Sequence, residues 1–384
     1  MGTHTRHVLL QVRDVLARDP ERFTANFYNR LFATNPALRE LFPANMARQR
    51  ETLFRVIDYV FEAVPDRENH ALLLEFLGQL GRDHRKYGVT EENYNEFFVA
   101  LMREIASVMG SEWDEEAAGV VSQALMLTTG VMRGAAHSAQ GPATWPATVA
   151  EKYRLSRDLA VVRLRTDEPL RFAAGQYLEV QIPQWPRIWR HLSPSIPPNP
   201  DGELEFHVRA IPGGTVSTSI VTETRVGDVW NLAQAHGALH VDPTGNDVLM
   251  VAGGTGLAPL RAIIIELTRL VRPPAVHLFF GARYPADLYD LSRLWQIAAM
   301  NPWLTVTTVV EDTEDPWWSN SGEQSGRITF ERIQGQLSDA VLEYGKDWTS
   351  HQVLMAGSPE MLVNTRRRFL IAGIPASRIQ NDPY

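Results

Sequence analysis

The spacing of apolar residues changes twice along this chain, and each change marks a different kind of structure. From about residue 8 to residue 136, apolar residues recur every three or four positions, which predicts helices. After 147 they alternate with polar residues, which predicts strands with one buried face. From 247 onward, buried-type strands alternate with helical segments, which is typical of a parallel sheet. We therefore expect a multidomain chain with three domains, at 1–138, 147–243 and 247–384.

The helical region carries residues that are typical of helix ends. Asp19 followed by Pro20 predicts the start of one helix, and Thr90 is a suitable N-cap for another. The last helix of the region is predicted from about Asp114 to Gly134. The segment 137–146 is rich in small residues and proline and has no periodicity, so we expect a linker there.

The two later regions are predicted to contain sheets of different kinds. Segments 177–182 and 204–210 alternate apolar and polar residues, which predicts a small antiparallel β-barrel ending near Asp242. From Asp247, the stretch DVLMVAGG predicts a buried strand, and a helix and further buried strands follow it. This order predicts an α/β domain with a parallel sheet and helices on both faces.

Composition restricts the chemistry of the chain. Its 384 residues include no cysteine, which excludes disulfides, thiolate nucleophiles and cysteine-ligated iron–sulfur clusters. The formal net charge of −8 argues against a partner made of nucleic acid. Neither a transmembrane-length apolar run nor a secretory signal is evident, so we expect a cytoplasmic protein without a transmembrane segment.

Three polar residues of the helical region lie on apolar stripes. His84 continues the leucine stripe 73–80 at helical spacing, so its ring should face the core. Gln49 precedes an apolar stripe at the same spacing, and Tyr28 lies among phenylalanines. Each can be a hydrogen-bonded core residue, and a metal role for His84 is the alternative. Their convergence in one small domain suggests a pocket.

Two polar segments follow the predicted barrel strands. An arginine followed by a hydroxyl residue can bind a pyrophosphate, and glycines followed by Thr and Ser can offer backbone N–H groups to phosphate. A solvated arginine and an ordinary turn explain the same residues without a ligand. The segments are Arg190, His191, Leu192 and Ser193, and then Gly213, Gly214, Thr215, Val216 and Ser217.

A glycine-rich turn joins the first strand of the third region to its helix. Glycines allow the backbone to approach a phosphate closely, and a helix N-terminus favours the negative charge. Segment 356–359 also follows a strand and opens a helix, so both loops are expected at the edge where open parallel sheets bind ligands. The first turn consists of Gly254, Thr255, Gly256, Leu257, Ala258 and Pro259.

A helical domain, a barrel and a nucleotide-binding sheet in this order resemble a flavohemoglobin, which is a globin fused to a ferredoxin-reductase-type FAD/NAD module. The resemblance covers nearly the whole chain, and in the globin part it rests on the stretches 25–43, 49–54 and 83–88. It implies an all-α globin domain with a heme pocket. The implied pocket residues are Tyr28, Gln49 and Leu53 on the distal, catalytic side, Phe42 and Tyr94 as heme contacts, and His84 as the iron ligand.

The reductase part resembles the same family. The family motif Arg-x-Tyr-Ser matches Arg190 to Ser193, with Leu192 in place of the tyrosine. The segment 175–178, which includes Tyr177, and the segment Gly213–Ser217 match other flavin-contacting stretches. The turn at Gly254–Pro259 matches the nicotinamide-nucleotide loop, and Tyr384 is implied as the aromatic residue that covers the flavin ring.

Some positions depart from the family pattern. Residues 117–136 contain neither a tyrosine nor a glutamate, although the family uses side chains of these types to hydrogen-bond toward the proximal histidine. Asp83 stands where a lysine is usual, and Ala356 stands where a cysteine is common. These departures resemble a divergent, actinobacterial-type branch that has been linked to oxidation of an organic acid such as D-lactate through FAD.

The resemblance implies heme b, FAD and NADH as cofactors. NADPH stays an alternative, because Arg283 could meet a phosphate while Asp287 close by would repel one. The implied activity is nitric oxide dioxygenation, in which NO and O2 give nitrate with electrons passed from NAD(P)H through FAD to heme. FAD-dependent oxidation of an organic acid such as D-lactate and a gas-binding globin are the alternatives. An iron–sulfur oxygenase reductase shares the flavin and nucleotide motifs, but this chain has no cysteine for its cluster.

Overall fold

The structure, a computed structural model, describes residues 3–66, 68–316 and 330–382. The chain divides into two units, Met1–Thr144 and Trp145–Tyr384, and the division falls inside the predicted linker. The predicted domain boundary near residue 245 lies within the second unit and stays a prediction. In the described part of the chain, no helix combines the length and the apolar character that crossing a membrane requires.

Helices build the first unit, as the helical period predicted. The Asp19 carboxylate accepts a hydrogen bond from the Arg22 N–H at 3.0 Å, so the predicted cap is present. Thr90 forms the second predicted cap, and its helix begins at Glu91. The helices are α1 (Thr3–Leu16), α2 (Pro20–Thr34), α3 (Ala47–Ala63), α4 (His70–His84), α5 (Glu91–Met109) and α6 (Glu115–Ser138), with short 3₁₀ helices at Pro36–Leu41, Arg85–Tyr87 and Gly110–Glu112.

Helix α6 is longer than predicted, and it crosses α4 at very short range. It continues past Gly134 to Ser138, because an isolated glycine weakens a helix without ending it. A Cβ atom on Gly81 of α4 would lie 2.2 Å from the carbonyl oxygen of Met132 on α6. The two helix backbones therefore touch one turn before His84, where α4 ends.

The second unit begins with an antiparallel sheet. Its strand order is β4-β3-β6-β1-β2-β5. The edges meet where Pro194, just after β4, bridges to Phe206 on β5, so the sheet curls toward the predicted barrel. The elements are β1 (Trp145–Arg154), β2 (Leu159–Thr166), β3 (Tyr177–Gln181), β4 (Arg190–Leu192), β5 (Glu203–Arg209), α7 (Thr215–Thr222) and β6 (Val229–His236).

A parallel sheet follows, with the strand order β10-β9-β8-β7-β11-β12. Separate apolar clusters contain Phe280 and Phe279, which are neighbours on β8 and point to opposite faces, so both faces are covered as predicted. The elements are β7 (Val248–Gly253), α8 (Leu257–Leu267), β8 (Val276–Ala282), α9 (Leu291–Met300), β9 (Leu304–Val310), β10 (Glu331–Gln334), α10 (Leu337–Leu342), β11 (Gln352–Ala356), α11 (Pro359–Ile371) and β12 (Ile379–Gln380), with 3₁₀ helices at Gly254–Gly256, Pro285–Asp287 and Ala376–Arg378.

Candidate functional site

His84 is the last residue of α4, and the helix itself fixes its ring. Its Nδ1 lies 2.7 Å from the carbonyl oxygen of Leu80. Because a carbonyl oxygen only accepts, Nδ1 carries the proton and Nε2 carries the lone pair. One turn upstream, the Gln79 amide donates to the Asp83 carboxylate at 2.8 Å. An imidazole held in this tautomer is suited to bind a metal ion through Nε2.

Tyr28 lies on α2 in a group of aromatic rings. Its centroid is 5.4 Å from that of Phe42 and 5.8 Å from that of Phe32. The side chain is 7% exposed, and burial raises the pKa of its phenol, while the Arg50 guanidinium acts in the opposite direction. The phenol therefore keeps its proton at neutral pH and can donate a hydrogen bond.

Four buried side-chain atoms of the first unit have no hydrogen-bond partner among the described residues. Two are nitrogens, Arg50 Nε and Arg85 Nη1, and two are oxygens, Oε1 of Gln49 and the hydroxyl of Tyr94. Buried polar atoms are normally satisfied, so an unpaired oxygen on α3 and another on α5 indicate room for a bound group. Residues 117–136 supply no tyrosine, but Tyr94 on the neighbouring helix is itself buried, and burial raises the pKa of its phenol.

Four of the six predicted heme-pocket residues belong to one apolar core. Tyr28 and Tyr94 are buried in it, and Phe42 and Leu53 are half-buried against it. A heme requires apolar walls and an axial ligand such as a histidine Nε2, and the described residues offer both. The residues present therefore fit that group.

In the second unit, rings from three neighbouring strands gather around one carboxylate. The Tyr177 ring lies 4.7 Å from that of His191 and 5.7 Å from that of His236. Glu179 approaches His191 Nε2 at 3.8 Å and His236 Nε2 at 3.6 Å. Sequence reasoning missed Glu179 and His236, because each is an ordinary polar residue in an alternating strand.

A cavity of about 40 Å³ adjoins these rings, and its walls come from both sheets of the unit. It brings together predicted residues from the flavin motif and from the glycine-rich turn, and it also includes the second loop at Ala356. Three further lining residues were not among the predicted site residues. The lining residues are Tyr177, His191, Ser193, Leu239, Pro259, Met355, Ala356 and Asp382.

The C-terminal segment forms part of this wall. The Asp382 carboxylate accepts a hydrogen bond from the Ala238 N–H at 2.9 Å, and the Gln380 amide oxygen accepts one from the His240 N–H at 3.2 Å. Burial raises the pKa of the Asp382 carboxyl. Tyr384, the predicted cover of the flavin, lies outside the described residues.

The other predicted flavin residues take different positions. Arg190 is exposed on β4 and donates to the Trp189 carbonyl at 2.9 Å, while Leu192 packs against the core of the antiparallel sheet. Gly213 has a φ of +75°, a value that favours glycine, and Gly214 caps α7. A helix therefore does begin at Thr215, and its first N–H groups can meet a phosphate. Val216 is buried, so only its backbone could take part; Ser217 completes this first turn.

The two glycine loops of the parallel sheet touch each other, as their positions after β7 and β11 predicted. A Cβ atom on Gly256 would lie 2.2 Å from the Ala356 carbonyl oxygen, so only glycine fits there. Gly254 has a φ of +53° and open space where its side chain would be. Leu257 and Ala258 are buried, so their side chains serve packing, whereas Thr255 is half-buried. This cradle fits the close approach of a nucleotide phosphate.

Three family models match the chain. The Globin model matches residues 25–132. The Oxidoreductase FAD-binding domain model matches residues 146–241, and the Oxidoreductase NAD-binding domain model matches residues 250–367. These matches cover the helical unit, the antiparallel sheet and the parallel sheet in turn.

Individual relatives resemble the reductase part. Ferredoxin–NAD(P)⁺ reductase CarAd of Metapseudomonas resinovorans is 31% identical over 240 residues, which are 62% of this chain and 68% of that protein. The xylene/toluene monooxygenase electron transfer component of Pseudomonas putida is 35% identical over 153 residues, which are 40% of this chain and 43% of that protein. The chain spans about half the length of several such reductase components.

A solved structure resembles the whole chain. The flavohemoglobin from Malassezia yamatoensis with bound FAD and heme matches with a TM-score of 0.76, covering 100% of this chain and 99% of that chain at 14% identity. At this identity the likeness shows the fold.

Fold and site together define a globin joined to an FAD- and NAD-binding oxidoreductase module, with heme, FAD and a nicotinamide nucleotide as cofactors. This domain organisation is that of a flavohemoglobin. Through its reductase module, the chain belongs to the ferredoxin–NAD(P)⁺ reductase family.

Proposed function

We propose that this oxidoreductase is an NAD(P)H-dependent nitric oxide dioxygenase. The observation that carries the proposal is the pocket of the globin unit, where Gln49 leaves a buried oxygen unpaired and Tyr28 keeps a protonated phenol. A reductase module in the same chain supplies the site for an electron source. The overall reaction consumes one NO, one O2 and one electron and yields one nitrate.

Each group has residues that would hold it. His84 would bind the iron through Nε2, and Tyr28 and Gln49 would offer hydrogen bonds to a diatomic gas, while Leu53 would narrow the pocket. The bound groups supply hydride acceptance by FAD, single-electron transfer to heme iron and the reaction of O2 with NO at that iron. Catalytic roles for Tyr28, Gln49 and Leu53 are part of this proposal.

In the reductase module, the antiparallel sheet and its helix would bind FAD, and the loops of the parallel sheet would bind the nicotinamide nucleotide. The first turn of α7 would bind the FAD pyrophosphate, and the walls at Tyr177 and Ser193 would hold the flavin ring. The turn at Gly254–Gly256 would hold the nucleotide phosphates. Pro259 lines the cavity together with Tyr177, so the nucleotide loop and the flavin wall face one space.

We expect NADH to be preferred over NADPH. Arg283 directly follows β8 and could meet a ribose phosphate, but its Nε lies 3.4 Å from Asp312 Oδ2. Asp287 is paired with Arg209 at 2.9 Å and adds negative charge nearby. A 2′-phosphate would therefore meet carboxylates on both sides of Arg283.

The test is consumption of NO by purified holoprotein in the presence of NADH and O2, followed with an NO electrode, with nitrate measured as the product. We expect Tyr28→Phe to lower NO consumption at least about tenfold, because the phenol is the donor to bound oxygen. Anaerobic flavin reduction by NADH should be unchanged in this variant, which serves as its internal control. Wild-type protein with full heme and FAD that consumes no NO would refute the proposal.

Oxidation of a 2-hydroxy acid such as D-lactate is a second candidate. The observation that favours it is the cluster of His191, His236 and Glu179 beside the cavity. A 2-hydroxy acid loses a hydride and a hydroxyl proton on oxidation, and a neutral imidazole is a suitable base for that proton. Anaerobic bleaching of the flavin by D-lactate without NADH would support this candidate, and an unchanged flavin spectrum would eliminate it.

A further inference from the structure

A charged network is buried between the antiparallel sheet and helix α8, and the steps above make no use of it. Glu205 on β5 is 2% exposed. Its Oε1 accepts hydrogen bonds from Arg261 Nη1 at 2.7 Å and from Ser195 Oγ at 2.9 Å. Arg261 lies on α8, the helix that opens with the nucleotide loop. One ion pair therefore links the antiparallel sheet to helix α8.

The same network reaches helix α9. Arg261 Nε lies 2.9 Å from Asp290 Oδ2, and Asp290 directly precedes α9 with a φ of +62°. The second oxygen of Glu205 accepts from Arg163 Nε at 2.8 Å and from Arg293 Nη1 at 3.2 Å. Strand β5 and helices α8 and α9 are thus held at a single point by charge-assisted hydrogen bonds.

A neutral histidine, His207, also belongs to the buried network around Glu205. His207 Nε2 lies 3.1 Å from Glu205 Oε1, so it donates, and Nδ1 accepts from the Tyr289 hydroxyl at 3.0 Å. Burial lowers the pKa of His207, which keeps the ring uncharged at neutral pH. The imidazole therefore has one tautomer, and its Nε2–H adds a further donor to Glu205 Oε1.

The network lies directly behind the cavity. Ser193 and Pro259 both line that cavity, and two residues beyond each of them are Ser195 and Arg261. Arg261 Nη1 lies 3.0 Å from Ser195 Oγ and 3.1 Å from the Ser195 carbonyl oxygen. A tilt of α8 would break these bonds and would move the nucleotide loop relative to the flavin wall.

Stability alone does not explain a buried ion pair of this kind. Taking two charges out of water costs about as much as their attraction returns, and apolar residues of similar size often stabilise as well or better. What an ion pair adds is direction, because a guanidinium and a carboxylate bond in few relative orientations. Directional contacts matter most where reacting atoms must be placed within a fraction of an ångström.

We propose that Glu205 and Arg261 are positioning residues for hydride transfer, which set the nicotinamide relative to the flavin by fixing α8 on the antiparallel sheet. This inference rests on the proposed transfer from NAD(P)H to FAD. It assigns a role to two buried residues that do not line the cavity.

The test uses holoprotein carrying Glu205→Gln or Arg261→Met and anaerobic rapid mixing with NADH. This measurement separates the dissociation constant of NADH from the limiting rate of flavin reduction. We expect the limiting rate to fall about 10- to 100-fold, while the dissociation constant changes less than about threefold. Arg261→Lys should recover part of the rate. Glu151→Gln is the matched control, because Glu151 contacts Arg163 at 2.6 Å on the exposed side only.

A second readout needs no NADH. In the holoprotein without NADH, amide hydrogen exchange in segments 193–195 and 257–264 should accelerate in both variants and stay unchanged in the control. The double variant Glu205→Gln/Arg261→Met removes both charges of the central pair together and leaves Asp290 with Arg293, whose Nε lies 3.7 Å from Asp290 Oδ1, and it should fold and still reduce its flavin slowly.

Three results would overturn the inference. They are an unchanged limiting rate in both single variants, an equal loss in the control, and a double variant with the full wild-type rate. If neither nucleotide reduces the wild-type flavin, the proposed function fails first and this inference falls with it, whereas normal wild-type reduction with unaffected variants rejects the positioning role alone.

Discussion

Gly81 gives the sharpest test of how the globin unit holds its predicted iron ligand. It lies on α4 three residues before His84, at the point where α4 crosses α6. A Cβ atom added there would be 2.2 Å from the Met132 carbonyl oxygen and 2.6 Å from the Met132 Cα. These are backbone atoms, which cannot rotate away as a side-chain tip can. The two helices would have to separate by about 1 Å.

The expected cost of Gly81→Ala follows from this geometry. Overpacking a close helix crossing costs about 1–3 kcal/mol, and a clash with backbone falls at the upper end. Alanine gains about 1 kcal/mol over glycine in helix propensity, which offsets part of that cost. We expect a net loss of about 2 kcal/mol, or roughly 5–10 °C in the unfolding midpoint of the unit.

Gly78, one turn earlier on the same helix, is the matched control. A Cβ atom there would lie 3.5 Å from Arg82 Nη1 and 3.7 Å from Ala135 Cβ, which are ordinary contacts. Gly78→Ala should therefore stabilise the unit by about 0.5–1 kcal/mol.

The assay for both variants is unfolding followed by helical circular dichroism and by Soret absorbance of the holoprotein. The two substitutions should shift the midpoint in opposite directions, and Gly81→Ala should also weaken heme retention because α4 carries His84. A Gly81→Ala protein as stable as Gly78→Ala would refute the description of this crossing.

Three further predictions concern the iron ligand, the nucleotide loop and acid stability. His84→Ala should lower the heme content below about a tenth of wild type while the FAD content, held by the other unit, is unchanged; the absorption spectrum reports both. Gly256→Ala should weaken NADH binding at least about tenfold, because its Cβ would meet the Ala356 carbonyl oxygen at 2.2 Å, and titration calorimetry measures the loss. Burial lowers the pKa of His277 to about 4, below its unfolded value of about 6.5. Its neutral form therefore contributes stability above pH 6.5 that is lost as the pH falls toward 4, amounting to about 2 kcal/mol between pH 7 and 5. His277→Gln should remove this part of the pH dependence in urea unfolding, and an unchanged slope would contradict the assignment.

Local patterns predicted the order and kind of the secondary structure well. The caps at Asp19 and Thr90 are present, and the strands at 177–182 and 204–210 agree with β3 and β5 to within a residue or two. The predicted end of α6 at Gly134 was wrong for a local reason. A single glycine on an open face weakens the helix, but the neighbouring residues stabilise it by more.

The inward direction of single side chains was predictable as well. Helical spacing placed Tyr28 toward the core, where it is buried, whereas His84 at the end of α4 is half-buried. The turn at Gly254–Gly256 stands at the carboxyl end of a buried strand as its sequence indicates. The spacing of apolar residues indicates which face of a helix or strand is buried, because the buried face is where apolar residues are favoured.

Only the tertiary structure decided which buried faces meet. Glu205 and Arg261 are 56 positions apart and join through a crossing of β5 and α8 that no local pattern records. Asp382 reaches Ala238 across 144 positions and becomes part of the cavity wall. The sequence by itself determined the periods, the caps, the absence of cysteine and the motifs of the three cofactor sites. The partners of each polar side chain, and so the tautomer of His84 and the orientation of α8, follow from packing between elements distant in the chain, because hydrogen bonds and ion pairs depend on distances that only the folded chain sets.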